Sequence, residues 1–138
     1  MLQYDLWNKG LLQELDFWQY WLTTDDLTIS EQRNWRLTPY KSLDGELGLS
    51  ILGGDGIVLD VGAGPLTTLG NIWQGREITL IPIDPLANEY SEILKKVDLK
   101  PVIKTVTGQG EKLVEQFGQN AVNAIYCANS LDHCYDPH

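Results

Sequence analysis

The spacing of apolar side chains changes near residue 55. Before it, Leu11, Leu15, Trp18 and Leu22 recur at i, i+4, i+7 and i+11, and Phe17 and Trp21 widen the stripe. That is the period of a helix packed by one face, closing at Thr23-Thr24-Asp25-Asp26. A second short helix is expected from Ser30 onward (SEQRNWRL), with Ser30 as its cap, Glu31 in its first turn and Pro39 as its stop. After residue 55, short apolar runs alternate with stretches of helical period. Strands are expected at Ile57–Val61, Ile78–Ile83, Val102–Val106 and Ala121–Cys127. Helices are expected at Pro65–Trp73, led by a proline suited to a first turn, at Asn88–Val97 and at Glu111–Phe117.

Strands alternating with helices through short connections predict βαβ units, a parallel sheet and right-handed crossovers. The chain therefore divides into an N-terminal helical segment, 1–54, and an α/β unit, 55–138. In such sheets ligands sit beyond the carboxyl ends of the strands, where strand order reverses. The loops to read for chemistry are 60–66, 84–86, 107–111 and 128–135. The N-terminal segment holds Trp7, Trp18, Trp21 and Trp35, a stripe expected to serve helix packing.

Composition narrows the partners. The 138 residues are 43% hydrophobic and 21% charged, which fits one folded domain rather than a disordered tail. A formal net charge of −9, with Lys and Arg scattered, disfavours nucleic acid and anionic membrane surfaces as partners. No apolar run approaches the ~18 residues of a membrane span, and MLQYDLWNKG lacks the pattern of a secretory signal. Cys127 and Cys134 have no metal-ligand spacing and read as free thiols, so a cytoplasmic protein without a bound metal is expected.

The first loop, DVGAGPLT, carries Gly62 and Gly64, which let the backbone turn sharply against a ligand. A dinucleotide fingerprint would need glycine at Thr67, and Asp60 would repel a pyrophosphate but suits a cationic ligand. VLDVGAGP resembles the first motif of class I S-adenosylmethionine-dependent methyltransferases, and Asp84 in IDPL resembles the acidic residue that grips both ribose hydroxyls in that family. Gly108-Gln109-Gly110-Glu111 is similar to its adenine-binding region, and Ala128-Asn129-Ser130-Leu131-Asp132-His133 to its fourth motif.

The resemblance covers about 56–138 and implies a three-layer Rossmann-like sandwich. It implies S-adenosylmethionine as cofactor, with contacts from Asp60, Gly62, Ala63, Gly64, Asp84, Pro85, Gly108, Gln109, Gly110, Glu111 and Asn129. It implies methyl transfer to a small-molecule acceptor, with His133 as general base where the acceptor needs one. The resemblance does not extend to residues 1–54; in that family the equivalent segment usually forms a variable cap over the substrate, and the same is expected here. There are departures: Leu66 stands at the common third glycine, and Gln109 stands where an acidic residue often recognises the adenine amino group. The family's sheet continues beyond the fourth strand, so the chain reads as truncated. The exposed edge of strand four then predicts a homodimer. Two alternatives stay open: a non-catalytic cofactor-binding or assembly module, and a nicotinamide-dependent oxidoreductase.

Overall fold

Six short strands form in the chain: β1 (Ile57–Val61), β2 (Ile72–Trp73), β3 (Arg76–Glu77), β4 (Thr79–Asp84), β5 (Val106–Thr107) and β6 (Ala124–Tyr126). Four of them pair in parallel, in the order β5-β4-β1-β6, and β2 with β3 makes a separate antiparallel pair. Four helices accompany them: α1 (Leu2–Thr23), α2 (Leu27–Arg36), α3 (Ala87–Lys96) and α4 (Leu113–Phe117). This computed structural model describes residues 2–43 and 56–128, and these counts refer to them. None of the helices in these residues is long and apolar enough to cross a membrane.

The register places Val58 beside Leu80 and Ala124, and Asp60 beside Pro82 and Tyr126. Because side chains alternate across a strand, β1 feeds two cores. Val58 packs with Leu43, Leu69, Trp73, Ile78 and Leu80 on one face, and Leu59 and Val61 pack with Ile83 on the other, where Leu113 and Phe117 join them. A third cluster ties Trp21 and Leu22 of α1 to Leu66 and Leu94. The chain runs from β1 to β4 to β5 and then returns to the far side of β1 as β6. The crevice above β1 and β6 is thus where the order reverses.

Four expected elements differ from those observed. The second helix starts earlier: Asp26, not Ser30, caps it, accepting a 3.0 Å bond from Ile29 N–H. Arg33 on its last turn donates to Trp21 O (2.7 Å) and Thr24 O (3.2 Å), satisfying carbonyls at the end of α1 that the helix cannot satisfy itself. The helix expected at Pro65–Trp73 does not form. There the Thr67 hydroxyl bonds Asp60 and receives Leu69 N–H, and Gly70 presses so closely on Lys41 that a Cβ would stand 2.0 Å from its carbonyl oxygen. The segment ends in the β2–β3 hairpin, whose two loop residues, Gln74 and Gly75, both have positive φ (49° and 75°), the conformation that suits a two-residue hairpin.

The third strand shrinks to Val106–Thr107. Thr105 turns inward and donates a 2.7 Å bond to Gly64 O, which pins the preceding residues to the glycine loop instead of to β4. The fourth strand keeps only Ala124–Tyr126 of the expected Ala121–Cys127. Asn123 closes its start, donating to Ile57 O through its own N–H and receiving Ile57 N–H on Oδ1.

Candidate functional site

The carboxyl ends of β1 and β4 are knitted together by the loop between Val61 and Pro65. Gly62 N–H and Ala63 N–H both donate to Ile83 O, at 2.9 and 3.0 Å. Gly62 and Gly64 have φ of 71° and 68°, in the region that side-chain-bearing residues avoid. This turn aims Gly64 N–H at Asp84 Oδ2 (3.0 Å), while Leu86 N–H donates to Asp84 Oδ1 (2.9 Å). Each carboxylate oxygen has a second acceptor site left, and Asp84 lines the cavity beside it.

That cavity has a volume of about 570 Å³, within the range of small-molecule and cofactor sites. Its floor comes from the strand ends, through Asp60, Gly62, Ala63, Asp84, Pro85, Gly108, Gly110 and Glu111. Of the residues expected from the sequence, these eight are therefore brought together. Gly64 lies beneath Trp18 rather than on the cavity wall, and Gln109 is also off the wall. Asn129 and His133 lie outside the described residues.

The opposite wall is helical. Trp7, Leu11, Glu14, Phe17 and Trp18 of α1, with Trp35 and Arg36 of α2, face the strand ends. The aromatic spacing predicts packing alone for the tryptophans, and Trp18 does pack, edge-on against Trp21 (5.3 Å) and Tyr90 (6.5 Å). It also covers Gly64 and lines the cavity. Glu14 and Arg36 escape a reading of the sequence because each sits on a helix with ordinary polar neighbours. The signal that could have found Arg36 is its place directly after Trp35 in a segment rich in tryptophan.

The site is electrostatically lopsided. Among the described lining residues, Glu14, Asp60, Asp84 and Glu111 are opposed by Arg36 alone. Burial pushes the Asp60 carboxyl up to about 6; the Thr67 hydroxyl and the Arg36 charge oppose the rise, and Asp84 adds to it. Asp84 is likewise raised by burial, against the pull of the Leu86 and Gly64 N–H bonds, with Glu14 and Glu89 adding to the rise. Burial lowers the Arg36 guanidinium from its usual value, and Asp60 counteracts that. An acidic, partly desolvated cavity beside a glycine turn favours a ligand that carries positive charge and presents hydrogen-bond donors to Asp84. No family model matches this chain, and no curated protein or solved structure matches it either.

Proposed function

We propose that the cavity binds S-adenosylmethionine and that the protein supports methyl transfer from it to a small-molecule acceptor. One observation carries the reading: the Gly62–Gly64 turn and Asp84 are locked together at the floor of a carboxylate-lined cavity. On this reading Asp84 accepts from the ribose hydroxyls through its remaining acceptor sites, Asp60 faces the cationic end of the donor, and Gly108–Glu111 border the adenine. The acidity that suits a sulfonium and an ammonium works against the pyrophosphate of a nicotinamide dinucleotide. The same reading implies the full three-layer Rossmann-like arrangement, supported by apolar clusters on both faces of β1.

Methyl transfer from a sulfonium is an in-line displacement that disperses positive charge, so the protein's main work is to hold donor and acceptor in line and keep water out. Such positioning is worth ~7–11 kcal/mol of a barrier. A cavity with one polar floor and one aromatic wall is suited to both, since the floor orients the donor while the indoles exclude solvent. Calorimetry with S-adenosylmethionine, S-adenosylhomocysteine and NAD tests the proposal. Saturable binding of the first two is expected; tight binding of NAD with neither of the others overturns it.

A further inference from the structure

The roles above leave Arg36 unused. Its guanidinium lies over the rings of Trp21 (4.8 Å) and Trp18 (5.5 Å) and is anchored by one bond, from Nη1 to Leu66 O at 3.1 Å. Among the described residues no carboxylate comes within ion-pair distance of it, and its other N–H groups meet no acceptor. Asp60 is near enough to act on it electrostatically without bonding it. A half-buried guanidinium held by two indoles and a carbonyl, with most of its donors unspent, is arranged for an anion. It is also the only cationic side chain on the wall of this cavity among the described residues.

Position decides which anion. Leu66, whose carbonyl anchors Arg36, follows the glycine turn by two residues, and Asp60 precedes it by two, so a positive and a negative group flank the turn without neutralising each other. An α-amino acid end carries one ammonium and one carboxylate and needs one group of each sign. Asp84 and the Gly108–Glu111 loop mark where the ribose and adenine go on the reading above, which leaves the glycine turn for the amino-acid end. We propose, resting on that reading, that Arg36 binds the α-carboxylate of S-adenosylmethionine, so that α2 belongs to the donor site itself and does not only cover the acceptor. The planar fork of arginine can present two parallel N–H groups to a carboxylate, which lysine cannot copy.

The test compares S-adenosylmethionine with decarboxylated S-adenosylmethionine, which keeps the sulfonium and the ammonium and lacks only the carboxylate. Calorimetry on the wild type, Arg36→Gln and Arg36→Lys gives a double-mutant cycle between the side chain and the ligand group. Arg36→Gln should weaken S-adenosylmethionine by about 10- to 150-fold, the range of a charge-assisted bond, and leave the decarboxylated form within about 2-fold of wild type, the usual scatter of an uncoupled pair. Arg36→Lys should recover part of the loss. Unchanged binding of the decarboxylated form also shows that the variant folds. Equal weakening of both ligands, or of neither, overturns the role of Arg36 and leaves the cofactor reading standing; wild-type protein that binds neither ligand overturns both.

Discussion

Trp18 closes over Gly64: a Cβ built on that glycine would stand 2.9 Å from the indole Cζ2. A helix near the start of the chain thus sets how much backbone the glycine turn can show, and the turn in turn leaves room for the helix. Gly64→Ala meets two obstacles, the φ of 68° and the indole. The backbone alone should cost about 1–2 kcal/mol, measurable as a lower midpoint in urea. Trp18→Ala removes the second obstacle, so the double variant should lose less than the sum of the two single ones. Strict additivity would show that the contact does not matter.

Asp84 holds two backbone N–H groups as well as facing the cavity. Asp84→Ala should reduce affinity for S-adenosylhomocysteine by about 10- to 150-fold. It should also lower stability by about 1–3 kcal/mol, because Gly64 N–H and Leu86 N–H lose their acceptor in a buried place. Asp84→Asn keeps one acceptor oxygen and should recover more of the stability than of the affinity. Calorimetry and denaturation on the same samples separate the two effects.

Acid should stabilise the unliganded protein over a defined window. Asp60 is 3% exposed and its carboxyl is raised from 3.8 to about 6, so between those values the folded chain keeps a proton that the unfolded chain gives up. The folded state then binds more protons, and stability falls as pH rises through the window. The difference amounts to about 3 kcal/mol at most. Asp84 is shifted in the same direction, so Asp60→Asn should flatten the slope between about pH 4 and pH 6 without abolishing it. Urea midpoints at several pH values provide the check; a slope equal to wild type contradicts the assignment.

Thr67 tests the segment whose proline start predicts a helix. Its hydroxyl donates to Asp60 and accepts from Leu69 N–H, and the residue is buried. Thr67→Val keeps the shape and removes both bonds, so a loss of about 1–3 kcal/mol is expected, with Thr67→Ser restoring most of it. On an exposed helix face the same change would be nearly silent.

The parts of the fold that could be read from the sequence are those where one-dimensional pattern and burial agree. Ile57–Val61 and the run ending at Asp84 are largely apolar strands flanked by turn residues, and Tyr90, Ile93 and Leu94 repeat at helical spacing. The residues from Pro65 to Trp73 mislead because their proline start imitates a helix, whereas a side-chain bond from Thr67 to Asp60, invisible to any local pattern, fixes another path. Val102–Val106 misleads in a similar way: β-branched residues favour a strand, but Thr105 is claimed by Gly64 O. At the candidate site, the floor is legible because glycines and carboxylates at strand ends form a local pattern. The helical wall is not, since nothing in the spacing of Glu14 or Arg36 says that α1 and α2 fold over the strand ends.

The bond from Arg36 to the Leu66 carbonyl spans thirty residues, and its direction along the chain matters during synthesis. The aromatic face of α1 leaves the ribosome before any of the sheet exists. Trp21 and Leu22, buried in the finished protein with Leu66 and Leu94, can meet Ile29, Leu37 and Leu66 early but lack Leu94 until α3 has been made. Until then the nascent chain presents an indole-rich apolar surface of the kind that holdase chaperones bind and that aggregates when crowded. The docking of α3 against α1 and the Leu66 segment, not the early helix by itself, is therefore the step that completes this cluster.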